Sequence, residues 1–273
     1  MDPERLPPDW PHRAQGRVVA VGPHRWWVVD AGTGPVLLLL HGTGASGHSF
    51  HRLLPHLTPH FRVILPDLPG QGASQSRAFH RMGLDAMAED LLALCDAMAT
   101  APLVVVGHSA GAALGRFDGA AGFLFPLIAR AMATAPFVAQ AAALWGRPEA
   151  VRRLLAGTGS PLDDQGRALY LRLVQDPGHI AGAQAMMAAG KLDGLVDRLP
   201  GIAVPTLLIA SAGDHAVPPL VSSDAARQLP GVDLLMVADY GHLPQEKAAD
   251  GLASLIVPWL LARLQSGFQP TSP

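Results

Sequence analysis

The 273-residue chain has a single cysteine, Cys95, and this excludes an intramolecular disulfide framework. Cys95 falls in a helical apolar pattern, where a thiol serves as a small core residue. Lysine is almost absent: Lys191 and Lys247 are the only two, and arginine supplies the other basic residues. The formal net charge is −2, so nothing suggests a nucleic-acid surface or a polyanionic substrate. No apolar run approaches the roughly 18 residues needed to span a bilayer. Met1–Arg13 is polar and proline-rich without an apolar signal core, so the expected location is the cytoplasm, with peripheral membrane attachment through an apolar cap left open. No phosphate-binding glycine loop of the P-loop type is present, which speaks against ATP-driven chemistry. Twelve histidines invite a metal, and His48, His51, His56 and His60 cluster in sequence. Converging carboxylate or thiolate ligands are missing from the pattern, so neither a metal nor another cofactor is expected.

What the chain does contain is Gly107-His108-Ser109-Ala110-Gly111 directly after the apolar run Leu103–Val106. This G-x-S-x-G at the end of a β-branched strand has the form of a nucleophile elbow. Lifting a serine oxygen to the tip of a tight strand-to-helix turn requires a strained serine backbone. It also requires tiny residues two positions away on either side, so that strand and helix can approach. Val36–Leu40, a continuous apolar run, reads as a strand buried on both faces and leads into His41-Gly42-Thr43-Gly44. The backbone N–H groups of Thr43 and Ala110 are the candidate oxyanion donors. Asp214 and His242 each follow a strand-like run, Thr206–Ala210 and Leu234–Ala238. The order Ser109, Asp214, His242 is that of α/β-hydrolases and differs from the chymotrypsin and subtilisin orders. These three are the candidate catalytic residues.

Strands alternating with helical periods predict an α/β fold with a doubly wound, mostly parallel sheet, and ligands at the carboxyl ends of its strands. Arg17–Val21 and Arg25–Asp30 read as an antiparallel start, Arg62–Leu65 as a further strand, and Gly83–Thr100 as an amphipathic helix. From Arg116 to Pro200 the texture turns helical and rich in Met, Phe, Leu and Ala, which predicts a cap. The expected organisation is a first core part at 1–115, a helical cap at 116–200 and a second core part at 201–273. Substrate-pocket candidates are His48, close after the oxyanion loop, and Phe123, Met132, Trp145, Met186 and Met187 from the cap.

Pro35–Ser49, Val106–Ala113 and Gly213–Pro219 resemble segments shared widely among α/β-hydrolases. Ala156–Pro177, which reads AGTGSPLDDQGRALYLRLVQDP, with Met186-Met187 after it, is more specific. On these residues the chain resembles the magnesium-chelatase accessory proteins (30 kDa type) of bacteriochlorophyll biosynthesis in phototrophic bacteria. The resemblance implies the α/β-hydrolase fold with a helical cap and a role beside magnesium insertion into protoporphyrin. It also implies chelatase subunits as partners and a tetrapyrrole or other hydrophobic small molecule as ligand. Hydrolysis of a hydrophobic ester by a serine mechanism and a non-catalytic binding role are both compatible with it, as is a carboxylesterase unrelated to pigment synthesis.

The chain departs from the hydrolase pattern after the elbow. Gly115 and Gly119 break the helix early, and no β-branched run occurs between Ala110 and Gly201. A helix and a strand are therefore expected to be missing. Removing a strand shifts its neighbour by about 4.8 Å, so Asp214 is expected to lie out of hydrogen-bond reach of His242 unless the sheet re-closes. A lesser departure is Gln71, which stands where related hydrolases usually carry histidine.

Overall fold

Hydrophobic residues at every position of Val36–Leu40 force that segment between two layers, and the computed structural model of the chain shows how. It describes residues 1–114, 147–189 and 196–265. β1 (Gly16–Val21) and β2 (His24–Ala31) pair antiparallel through a turn at Gly22, whose φ of +55° supplies the left-handed conformation such a turn requires. β3 (Val36–Leu40), β4 (Arg62–Pro66) and β6 (Val104–Gly107) are parallel, and the sheet order is β1-β2-β4-β3-β6. A two-residue strand, β5 (Gln75–Ser76), pairs with the start of β2. Leu38, Leu40, Ile64 and Val105 point to one face, whereas Leu37, Leu39, Val63, Leu65 and Val104 point to the other. Alternate residues of each strand thus feed two separate cores, as period-two geometry demands.

Helices cover both faces. α1 (Leu54–Leu57) lies on the second face, and α2 (Leu84–Ala97) covers the first with Leu84, Met87, Leu91, Leu94 and Cys95. Cys95 is buried there, and burial raises its thiol to about 11, as befits a core side chain. α3 (Ala110–Leu114) starts directly after Ser109. Three helices follow within the expected cap: α4 (Pro148–Gly157), α5 (Asp164–Val174) and α6 (Pro177–Ala189). α4 and α5 pack through Val151, Leu155, Leu169, Tyr170 and Leu173 onto Trp10, Trp27, Ala45 and Ala73 of the first core part, whereas α6 joins the core on the first face of the sheet through Met186. β7 (Thr206–Ser211) and β8 (Val232–Val237) form a parallel pair with α7 (Pro219–Ala226) between them in sequence. α8 (Pro244–Lys247) and α9 (Ala249–Gln265) complete the chain's described part. Leu252, Ala253, Ile256 and Leu260 of α9 join the core on the second face of the large sheet.

The doubly wound α/β fold expected from the sequence is present. Among the described residues no ladder joins β6 to β7, so the strands form two sheets instead of one. The expected loss of a helix and strand concerns residues beyond α3 that lie outside the described residues. Phe123, Met132 and Trp145 lie outside them as well.

Candidate active site

Ser109 follows the last residues of β6 with a φ of +54°, in the left-handed region that L-residues avoid at a cost of roughly 1–2 kcal/mol. The glycines around it explain how the turn closes. A Cβ on Gly107 would run into the backbone of Ala112, and one on Gly111 into the carbonyls of Leu40 and His41. The small residues at both ends of the motif are therefore steric requirements of the elbow. Ala110 opens α3, where the first N–H groups of a helix have no partner within it.

His242 sits on the loop after β8 and Asp214 on the loop after β7. The displacement of Asp214 expected from the sequence is not found: His242 Nδ1 lies 2.9 Å from Asp214 Oδ2, with both side chains largely buried. The other carboxylate oxygen, Oδ1, accepts the backbone N–H groups of Ala216 and Val217 at 2.8 Å each. His108 Nε2 donates to the carbonyl of His242 at 2.7 Å, and the two rings pack at 4.8 Å between centroids. Burial depresses the His108 imidazole to about 3, so it stays neutral and acts as a strut between the elbow and the His242 loop.

Two cavities reach Ser109 and His242. One of about 150 Å³ lies between the two sheets, walled by Val106, Leu208, Val237, Ile256 and Trp259. The other, about 220 Å³, opens between the loop Gly42–Ala45 and helices α4–α6. Val151, Leu155, Tyr170, Ile180, Ala183 and Met187 line it, and no Asp, Glu, Lys or Arg is among its described walls. Of the pocket candidates from the sequence, Met187 lines this cavity. Met186, one residue and about 100° further round the helix, is buried instead, and its sulfur receives Thr43 Oγ1 at 3.3 Å and Gln71 Nε2 at 3.2 Å. His48 also misses the cavity. It is buried behind Tyr170, ring to ring at 4.7 Å, with Nδ1 at 2.7 Å from Ser46 Oγ. The chain turns inward at residues 47–50, and that turn, rather than nearness in sequence to the oxyanion loop, decides where the ring points.

The loop bearing Thr43 is pinned by Gln71 and by His179, of which the sequence singled out only the first. Gln71 Oε1 accepts the Gly44 N–H at 2.7 Å. His179, from α6, accepts the Gly72 N–H at Nδ1 (2.9 Å), which leaves Nε2 to donate to the Gly44 carbonyl at 3.2 Å. Burial lowers His179 to about 3 and His41 to about 4, so both remain neutral. His41 Nε2 accepts the Leu68 N–H at 2.8 Å. The departure of Gln71 from the usual histidine was visible in the sequence, but its partner was not. Among the described residues no group of three or more His, Cys, Asp or Glu is arranged to hold a metal ion.

Behind Tyr170 lies a buried carboxyl. Tyr170 Oη donates to Glu246 Oε1 at 2.7 Å, and Glu246 is 2 % exposed. Burial pushes its carboxyl up to about 8 from an ordinary value near 4.5, against the hydrogen bond from Tyr170 and the charge of Arg52. The folded state therefore keeps this proton over a range in which the unfolded chain releases it. Stability is lost as pH rises from about 4.5 to 8 and levels off above, by ~3–5 kcal/mol at about 1.4 kcal/mol per pKa unit. Glu246→Gln keeps the acceptor for Tyr170 and removes the titration. Urea unfolding is expected to give similar stabilities for wild type and variant at pH 5, and a variant more stable by roughly 3 kcal/mol at pH 8. Parallel pH dependences of the two proteins would refute the assignment.

Comparison with known proteins accords with the fold. An α/β hydrolase fold family model matches residues 35–117. The chain is 47% identical to the magnesium-chelatase 30 kDa subunit of Rhodobacter capsulatus, with 95% of this chain and 99% of that one covered. That alignment runs over 283 positions, more than the 273 residues here, so parts of the relative have no counterpart in this chain. A pimeloyl-[acyl-carrier protein] methyl ester esterase of Vibrio vulnificus is 28% identical over 78% of this chain and 89% of its own. Among solved structures, an esterase from Exiguobacterium antarcticum superposes with a TM-score of 0.75 at 17% identity, covering 90% of this chain and 99% of that one. The epoxide hydrolase CorEH gives 0.72 at 21% identity, covering 90% and 98%. At such identities the last two speak for the fold alone. No helix among the described residues is long and apolar enough to cross a membrane.

Proposed function

Because the chain belongs to the α/β-hydrolase family, within the group that includes the magnesium-chelatase 30 kDa subunit, we propose that it is a serine hydrolase serving bacteriochlorophyll synthesis beside the magnesium-chelatase step. The observation that carries the hydrolase reading is the 2.9 Å contact of His242 Nδ1 with Asp214 Oδ2 at a cavity shared with a strained Ser109. In this mechanism Asp214 holds His242 with its proton on Nδ1, which leaves Nε2 as the base. His242 takes the Ser109 hydroxyl proton as Oγ bonds to the ester carbonyl carbon. The carbonyl oxygen becomes an oxyanion held by the N–H groups of Thr43 and Ala110. Collapse breaks the bond to the alcohol oxygen, which leaves with the proton from His242. Water then adds to the acyl-enzyme by the same route, giving the carboxylic acid and free Ser109.

The cavity supports an apolar, uncharged acyl group. A dry cavity of about 150 Å³ accepts a benzene ring, so about 220 Å³ suits a group somewhat larger than a ring. With a tetrapyrrole, the macrocycle stays outside these walls and an ester arm enters. The relative's name supports chelatase subunits as partners.

A fluorophosphonate probe is the test. One equivalent is expected to attach to the wild-type protein, with the added mass on the peptide containing Ser109. A folded wild-type protein that stays unlabelled would remove the hydrolase reading. Rescue of a bacteriochlorophyll-deficient strain tests the pathway: a Ser109→Ala gene that rescues as well as wild type would move the role from catalysis to binding.

A further inference from the structure

The two sheets raise a positional problem. Ser109 stands at the end of the larger sheet, while Asp214 and His242 stand on loops of the β7–β8 pair, and no ladder among the described residues connects them. Among the described residues, contacts other than a shared ladder hold the three side chains in position. The candidate is the turn Gly157–Ser160 between α4 and α5, part of the segment that made the sequence most specific.

This turn grips both loops at once. The Thr158 carbonyl accepts the N–H of His215 at 3.3 Å and that of His242 at 3.2 Å, so one oxygen ties together the neighbour of Asp214 and His242 itself. Ser160 is fully buried, and its Oγ accepts the Leu243 N–H at 2.8 Å. Lys247 Nζ donates to the Gly159 carbonyl at 3.3 Å. Gly159, at φ +80°, packs so closely that a Cβ would strike the Gly213 carbonyl, and a Cβ on Gly241 would strike Ser160 Oγ. The helices on either side of the turn are anchored elsewhere: Val151 and Leu155 of α4 and Leu169 and Leu173 of α5 pack on Trp10, Trp27, Ala45 and Ala73. The cap is thus seated on the first core part and holds the loops of the second.

We propose that the turn Gly157–Ser160 is a positioning brace that sets Asp214 and His242 in register with Ser109. Its catalytic consequence rests on the serine-hydrolase reading; its structural consequence does not. Gly159→Ala is expected to fold cooperatively and to lower kcat for a p-nitrophenyl ester by about 10–100-fold, with KM changed less than about threefold, since misplacement of ~1 Å costs that much. The low-field proton resonance of His242 Nδ1–H, assigned by its loss in His242→Gln, is expected to vanish or move upfield. Ser160→Ala should act in the same direction, by about tenfold, because the Leu243 N–H loses its acceptor. It decides the matter if Gly159→Ala fails to fold. Folded variants with unchanged kcat and an unchanged resonance would overturn the brace. A wild-type protein with no hydrolysis and no labelling would overturn the hydrolase reading instead, and the resonance would still test the brace.

Discussion

Ser109→Ala is expected to lower ester hydrolysis by about 10⁶-fold in kcat, the loss seen when a triad nucleophile is removed from a comparable site. The more telling variant is Ser109→Gly. Both lack the nucleophile, so both should be equally inactive. They differ in the backbone: alanine keeps the Cβ that makes φ +54° costly, whereas glycine adopts it freely. Offset by the greater unfolded-state entropy of glycine, the gain should still reach up to ~1 kcal/mol over Ser109→Ala. Steady-state kinetics and urea unfolding on the pair read both quantities. Residual kcat above about one hundredth of wild type in either variant would exclude Ser109 as nucleophile. Equal stabilities of the two would show that the elbow stores no strain there.

Asp214→Asn is expected to cost about 10⁴-fold in kcat with little change in KM. The reason lies in how the carboxylate is shared. Oδ1 accepts two backbone N–H groups, from Ala216 and Val217, and Oδ2 faces His242 Nδ1. An asparagine can satisfy the two backbone donors only with its carbonyl oxygen. Its NH₂ is then turned to His242, which must accept at Nδ1 and carry its proton on Nε2. In that tautomer the ring has no lone pair for the Ser109 proton. Asp214→Ala would confound this loss with damage to the loop, because the Ala216 and Val217 donors lose their acceptor as well. A crystal structure of Asp214→Asn with the loop unchanged, alongside wild-type turnover, would contradict the assigned role.

The central strands were legible because burial on both faces leaves a signature that needs no tertiary knowledge. Val36–Leu40 and Leu103–Val106 are apolar at every position, and the structure places alternate residues of Val36–Leu40 and of Val104–Val106 in opposite cores. The elbow was legible for a related reason: its glycines are demanded by local sterics, and local sterics are written locally. β5 left no such trace, since two residues carry no period. Direction within a segment was harder still. His48 and Met186 were each placed in the right neighbourhood and on the wrong side. A turn at residues 47–50 and one step of about 100° along α6 decide which face a side chain shows. The contact between Asp214 and His242 is hidden in the sequence, where sheet register is the only ruler on offer. Thr158 and Ser160, which lie more than fifty residues before either side chain, hold that distance through backbone carbonyl and hydroxyl groups. A carbonyl oxygen belongs to every residue alike, so no residue type announces it.

His179 joins the cap to Gly44 by a single imidazole, and this bears on timing. For the hydrolase proposed above, lifting α6 away to admit a substrate would also withdraw the donor that holds the Gly44 carbonyl. Access and competence then oppose each other: with α6 lifted, Gly44 keeps the Gln71 contact on its N–H but loses the one on its carbonyl, so the loop that would cradle a developing negative charge is held less firmly. Closure of α6 over a bound ligand would then complete the support of that loop.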